Sequence, residues 1–393
     1  MTTFLIFIAV LAVLVLSHEF GHFIAARRSG MRVYEFGFGF APRLFGVYRD
    51  PATKKLVFVW GRGTKNKTND ESGFADFPAT LYSFNLLPLG GFVKIKGENG
   101  EDIGPDSFGA QPIWKRVVTL AAGVTMNVIL GFALLSIGFG IGLPQMTDEL
   151  DASVVENPRV QIMQVLPGKP AEKAGLQMGD AVIKIGALEL PRLKELQVYV
   201  DEHKNEKINV TVERQGQQLT MSIQPTVLEE TGKGALGIAI AEIGTVKYPW
   251  YKAIYHGFIS TGLYLKEIVV AFFIFFRGLI LGRGGAEAVA GPVGIAVMTG
   301  QAAKLGFAYL IQFTALLSLN LAIINALPIP ALDGGRLLFL AINKIRGKAI
   351  AIKYEQLAHL IGFALLMLLV IMVTVKDLGA FKGAFMGLID RVF

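Results

Sequence analysis

The chain contains no cysteine. That excludes disulfides, an all-cysteine zinc site and a cysteine nucleophile, and it removes the usual clue to redox compartment. Charge is scarce too: Asp, Glu, Lys and Arg make up 18% of 393 residues, where a soluble domain carries about 25%. Hydrophobic residues reach 52% and mean hydropathy is +0.50. So little polar surface cannot wrap one large soluble core, so the chain reads as a membrane protein, and disorder and collagen are excluded. Histidine is rare, with five copies. The net charge of +7 allows nucleic acid, anionic lipid or a membrane-topology bias, and the positions of the charges decide among them.

Four windows supply the roughly 20 mostly apolar residues that a membrane helix needs: 2–26, 117–143, 305–332 and 356–375. The first lacks the charged start and small-residue cleavage site of a removable signal peptide. A fifth apolar stretch, 254–281, is interrupted by Lys266, Glu267 and Arg277 and reads as an interfacial or hairpin segment. Lys and Arg in the flanking loops set the orientation. From Arg27 to Arg116 there are 14 basic and 9 acidic residues, 14 − 9 = +5; from Gln145 to Trp250 there are 11 and 15, 11 − 15 = −4. Lys344, Arg346, Lys348 and Lys353 follow the third span. The 27–116 and 343–355 loops are therefore expected on the cytoplasmic side and 145–250 outside. The positive charge sits beside membrane helices, so no nucleic-acid partner is expected.

The outside insert alternates β-rich runs (160–165, 181–185, 208–213, 219–223) with Gly and Pro turns. Its stretch from Pro167 to Ile185, PGKPAEKAGLQMGDAVIKI, resembles the PDZ family in its circularly permuted bacterial form. PDZ domains take an extended peptide as an added strand at a sheet edge. The resemblance implies a peptide ligand and a ligand loop containing Gly175, Leu176 and Gly179; a generic small β domain is the plainer alternative.

His18-Glu19-Phe20-Gly21-His22 near the end of the first span is an HExxH motif. Residues i and i+4 share a helix face, so both histidines can hold one zinc ion, and Glu19 beside them can take a proton from the attacking water. At this composition roughly 0.005 such motifs arise by chance. An ionisable residue inside a spanning helix is costly and usually functional. Catalytic zinc generally takes three protein ligands. His203, His256 and His359 read as surface or packing histidines. Asp333, in NALPIPALDGG (325–335), is the better third ligand, after helix-breaking Pro328 and Pro330 and before a flexible Gly334-Gly335. It reads equally as the N-cap of a helix over 334–345. For one ion to join it to His18 and His22, the third span must run in the same direction as the first. The 254–281 segment then crosses the membrane an even number of times, most simply zero.

HExxH in the first span, N-x-x-P-x-P-x-x-D-G in a later one and a PDZ insert between them resemble the site-2 protease family, in its bacterial sigma-E-regulator subgroup with a single PDZ domain. The resemblance implies a zinc-dependent intramembrane endopeptidase with one Zn2+ per chain. His18, His22 and Asp333 would be ligands and Glu19 the catalytic base, with Asn325, Pro328 and Pro330 holding substrate. Gly91, Phe92 and Val93 would form a strand beside the Gly37-Phe38-Gly39 element and pair with an unwound substrate; a surface hairpin without that role is the alternative. Gly123 and Asn127 match a family Gly-x-x-x-Asn pattern, with small-residue helix packing as the simpler account. Gly291-Pro292-Val293-Gly294 matches a family turn.

The expected architecture is a polytopic α-helical membrane protein with four transmembrane helices, a cytoplasmic-side membrane-associated β element and an inserted extracytoplasmic α+β PDZ domain. The segments are 1–30, first helix with HExxH; 31–114, β loop region; 115–144, second helix; 145–235, PDZ domain; 236–304, interfacial helical segment; 305–345, third helix and LDG motif; and 346–393, fourth helix and tail. The expected location is the bacterial inner membrane, multi-pass, with the active site near the cytoplasmic side. Expected partners are the lipid bilayer, single-span membrane substrates such as trimmed anti-sigma factors or remnant signal peptides, and a PDZ peptide ligand. A non-catalytic PDZ scaffold with a structural metal site is the rival class, but it has no need of Glu19. A transporter would show inverted repeats, and none is visible.

Overall fold

Arg27 and Arg28 close the first apolar run, where cations suit the carbonyl end of a helix, and the run folds as one helix, α1 (Thr2–Arg28). Gly30, at φ +83°, ends it, and Met31 N–H closes back on Ala26 O at 2.9 Å. The computed structural model describes residues 2–61, 77–98, 104–147, 154–166, 168–214, 216–227, 232–282, 290–348 and 350–380. Pro167 of the PDZ-like motif and the tail after 380 lie outside the described residues. The chain forms two compact units. One comprises Met1–Leu135, Phe258–Gln301 and Phe313–Phe393; the other comprises Ser136–Gly257 and Ala302–Gln312.

In the first unit α1 leads into a sheet of β1 (Val33–Arg49), β2 (Leu56–Trp60) and β3 (Leu81–Ile95), in the order β2-β1-β3. The long strands fold back on themselves. Phe36, Gly37 and Phe38 pair with Val93, Phe92 and Gly91 on one side and with Tyr82, Ser83 and Phe84 on the other. The second limb of β1 then pairs Phe45, Gly46 and Val47 with Phe84, Ser83 and Tyr82. The 91–95 limb is therefore an outer edge, with no strand beyond it among the described residues. Phe23, Ala26, Met31, Val33, Ile95, Phe108, Leu120 and Leu340 bury one apolar cluster under this sheet. α2 (Ile113–Ile141) starts in this unit and ends in the second.

The second unit holds β4 (Leu143–Met146), β5 (Val155–Val165), α3 (Pro170–Lys173), β6 (Ala181–Ile185), β7 (Leu188–Glu189), α4 (Leu193–Glu202), β8 (Ile208–Arg214), β9 (Gln217–Ile223), β10 (Thr226–Val227), β11 (Gly234–Ala235) and β12 (Ile238–Val246). Its main sheet runs β4-β12-β5-β6-β8-β9, with β7 on β6. In β8, buried Ile208, Val210 and Val212 alternate with outward residues, the period of a strand with one covered face. They join Val160, Ile162, Val182, Ile185, Leu196 and Val200 in the core. Four more helices follow the first part of α5 (Trp250–Ile280): α6 (Pro292–Leu305), α7 (Phe307–Ala326), α8 (Asp333–Arg346) and α9 (Ile352–Ala380).

Among the described residues, four helices are long and apolar enough to cross a membrane: α1, α2, α7 and α9 over Ile352–Gly379. These are the four windows read from the sequence. The third is shorter than 305–332, because Gly306 at φ +129° separates α6 from α7 and the chain leaves the helix after Ala326. The 254–281 stretch lies, up to Ile280, in one unbroken helix, α5, so it is no hairpin. The β domain also continues past 235. The sequence reading starts an interfacial helical segment at 236, but Gly237, at φ +78°, turns the chain into β12, which pairs along β5.

Candidate metal centre

One helical turn separates His18 from His22, so their rings leave α1 on one face, with Nε2 atoms 3.1 Å apart. Asp333 opens α8 and brings Oδ2 to 3.0 Å from His18 Nε2 and 3.2 Å from His22 Nε2. Leu332, rather than Asp333, holds the N-cap position, so the carboxylate is not spent on capping. Despite those short distances, Asp333 Oδ2 is buried without a hydrogen-bond partner among the described residues. The three atoms converge on a common point, as ligand atoms do. Ligands on a tetrahedral ion at about 2.0–2.1 Å sit roughly 3.3 Å apart, close to the separations here. Two neutral nitrogens and a carboxylate form a donor set that suits zinc, so the residues fit the ion.

The histidines are oriented from α2. His22 Nδ1 lies 2.8 Å from Thr119 O. A carbonyl only accepts, so Nδ1 carries the proton and Nε2 presents its lone pair. His18 Nδ1 faces the amide of Asn127, whose Nδ2 is placed at 3.3 Å and whose Oδ1 is buried without a partner among the described residues. A half-turn of that amide puts Oδ1 against His18 Nδ1–H, satisfies the orphaned oxygen and frees His18 Nε2. The close approach of α2 needs Gly123: a Cβ there would come within 2.7 Å of His18 Cε1.

The approach of α8 needs glycine as well. A Cβ on Gly334 would collide with Leu327 O and Ala326 O. Gly334 and Gly335 are both buried, so this pair serves close packing, where the sequence suggested flexibility. Arg336 in the next turn pairs with Glu98.

The other sequence-derived residues fall in three places. Glu19 shares the turn of α1 with the histidines, and the 91–95 edge runs past it: a Cβ on Gly91 would lie 3.8 Å from Glu19 Cγ. Phe92 and Val93 continue that edge, paired to Gly37 and Phe36. Asn325 is in the last turn of α7, and Pro328 and Pro330 lie in the link between α7 and α8. Gly175, Leu176 and Gly179 belong to the second unit. There Leu176 N–H bonds Ala171 O at 3.0 Å and Gly179 N–H bonds Ile162 O at 2.7 Å. Arg214 holds the same turn through Asp180 and Gly175 O, at 2.7 and 2.8 Å. The hydrogen bond and charge of Asp180 raise the Arg214 guanidinium above its ordinary pKa. The amides of Leu176 and Gly179 are thus used within the domain. The open edge is on β12, where β4 covers only Ile243–Val246 and no described strand covers 238–241.

Sequence reasoning missed the role of Thr119; it singled out Asn127 with Gly123 by the family Gly-x-x-x-Asn pattern but did not place its amide behind His18. Any residue supplies a carbonyl, so nothing marks Thr119. Asn127, fully buried in an apolar helix, did carry a signal in its polarity. His203 stacks on Tyr199 with ring centroids 4.0 Å apart, and His256 stacks on Tyr248 at the same distance.

The model of Peptidase family M50 matches residues 6–71 and 72–369. Zinc metalloprotease RasP of Shouchella clausii is 30% identical over 467 residues, covering 96% of this chain and 99% of its own. Zinc metalloprotease RasP of Geobacillus kaustophilus is 30% identical over 458 residues, covering 95% and 97%. Among solved structures, the PDZ domain of an SdrC-like protein from Listeria monocytogenes matches 22% of this chain and 90% of that one. Its identity is 21% and its TM-score 0.21, too low to speak for the fold. The match over nearly the whole chain, HExxH included, agrees with two histidines on a membrane-length apolar helix meeting a carboxylate at the start of α8: the chain belongs to Peptidase family M50, the site-2 protease family of metalloendopeptidases.

Proposed function

We propose that this multi-pass membrane protein cuts the membrane-spanning segments of single-span proteins within the bilayer. It would use one zinc ion held by His18, His22 and Asp333, with Glu19 as general base. The observation that carries this reading is the convergence of His18 Nε2, His22 Nε2 and Asp333 Oδ2 within 3.2 Å of one another, one residue from Glu19 on a membrane-length helix. When bound, zinc polarises the scissile carbonyl and makes water acidic enough to ionise near neutral pH. Glu19 takes the proton of the attacking water and delivers it to the leaving amine.

A helical substrate is protected because its carbonyls are already hydrogen-bonded, all the more so in lipid. It therefore unwinds near the cytoplasmic face. Its extended backbone pairs with the Gly91-Phe92-Val93 edge, and the Asn325 amide, with donor and acceptor together, holds it. Pro328 and Pro330 keep the neighbouring link non-helical. The loop charges support a cytoplasmic side for 31–114, in a bacterial inner membrane. The second unit, read as an extracytoplasmic PDZ domain, takes a peptide along the open 238–241 stretch of β12. Trimmed anti-sigma factors and remnant signal peptides are the substrates that the family resemblance favours.

The test is Glu19→Gln in the full chain. It is expected to keep its zinc and to cut a single-span model substrate about a hundredfold to ten-thousandfold more slowly, the range of general-base catalysis. A zinc-loaded variant that cuts at the native rate would falsify the assignment of Glu19.

A further inference from the structure

The link from α7 to α8 carries Asp333 to its place, and it contains Ala331 at φ +79°. A residue with a Cβ adopts this left-handed backbone only at a steric cost, so something must hold it there. The Ala331 N–H donates to His359 Nδ1 at 2.8 Å. Two further contacts from α9 meet this link and the helix it leads into. Gly362, one turn after His359, packs so closely that a Cβ would lie 2.7 Å from Pro330 Cβ, and the His359 ring sits 5.5 Å from the ring of Phe339 on α8. Since Nδ1 accepts, a neutral His359 carries its proton on Nε2, which is buried and without a partner among the described residues. A group that leaves one polar atom unsatisfied is not explained by packing alone.

We infer that His359 is a positioning residue for the metal centre: its Nδ1 holds Ala331 in the left-handed conformation and thereby fixes Asp333, two residues on, against His18 and His22. This inference rests on the reading of Asp333 as a zinc ligand. It explains why a helix whose membrane window is only 6% buried presents a histidine and a glycine to that link.

The test compares His359→Asn, His359→Gln and His359→Leu in the full-length protein in detergent. Asn offers an acceptor at the δ position, where Nδ1 sits; Gln offers one at the ε position; Leu offers none. Three quantities are read: zinc retention against a competing chelator, kcat and KM on a single-span substrate, and Tm. His359→Asn is expected to stay within about threefold of wild type, on the scale of one preserved hydrogen bond. His359→Gln and His359→Leu should lose zinc affinity about 10–100-fold, as loss of an outer-shell partner does, with kcat falling and KM near native. Adding Ala331→Gly, which takes positive φ without strain, should restore much of the zinc affinity of His359→Leu. The inference is overturned if His359→Leu holds zinc like wild type. It is also overturned if Asn, Gln and Leu lose zinc alike in step with Tm, or if Ala331→Gly restores nothing. Asp333→Ala separates the two readings: if it retains zinc as wild type does, the ligand assignment fails, whereas if only Asp333→Ala loses zinc, the ligand stands and the role of His359 fails.

Discussion

Metal sites are tuned by what lies behind the ligands, and here each histidine has a different kind of support. His22 leans on a backbone carbonyl that no side-chain substitution removes, while His18 depends on the Asn127 amide. Asn127→Leu keeps the volume and loses the acceptor. We expect zinc affinity to fall about 10–100-fold, measured by chelator competition, while Asn127→Asp, which still accepts from His18 Nδ1–H, stays closer to native. Unchanged zinc affinity in Asn127→Leu would mean that the buried amide only packs. Much at this scale was legible beforehand, because histidines and carboxylates in apolar helices have few inexpensive explanations. Two of the three ligand candidates sit four residues apart, and the third follows a proline-rich helix end. What was not legible is the share supplied by backbone: the Thr119 carbonyl and the positive φ of Ala331 leave no letter in the sequence.

Helices that face lipid keep few buried contacts, so those they keep are informative. Among the described residues of α9 the buried ones are Gly362, Val373 and Asp377, and two ties to neighbouring elements stand out. Near its start, His359 and Gly362 meet the 330–331 link. Near its end, Asp377 Oδ2 accepts the N–H of Gly291 at 2.9 Å and of Gly294 at 2.7 Å, where α6 begins. A carboxylate from one helix thus caps the start of another, satisfying free amides and the positive end of its dipole. Asp377→Ala is expected to cost about 1–3 kcal/mol by leaving those amides unpaired out of water, read as a lower Tm with zinc affinity unchanged. A Tm equal to wild type would mean water or lipid headgroups replace the carboxylate. Element boundaries were legible where apolar runs end in charge, as at Arg27-Arg28. They were not legible where long-range pairing decides: nothing local says that β1 and β3 fold back so that Gly37 lies between Phe92 and Ser83.

The β domain joins the helices through paired strands. Leu143 at its entrance is opposite Val246 at its exit, and partners across an antiparallel pair have Cα atoms about 4.5–5.5 Å apart. Residues 143–246 can therefore be replaced by a short Gly-Ser link without stretching the flanking helices, the geometry that makes a domain insertion tolerable. A narrower excision, 155–230, would leave β12 and β4 without their sheet. The domain also holds the junction of α6 and α7, through Tyr309 OH of α7 donating to Gln161 Oε1 at 2.9 Å and Leu305, the last residue of α6, packed on Gly179. Its loss has two separable consequences. If the domain screens substrates by bulk, the excised protein should cleave a substrate that still carries a folded external domain at a rate near that for the trimmed form, whereas the intact protein cuts only the trimmed one. If instead the domain mainly steadies α7, whose last turn carries Asn325, both substrates should be cut more slowly by the excised protein and in equal proportion. Rates for the two substrates with both proteins, four measurements in all, decide it. Screening fails if the untrimmed substrate stays uncut by the excised protein while the trimmed one is still cleaved.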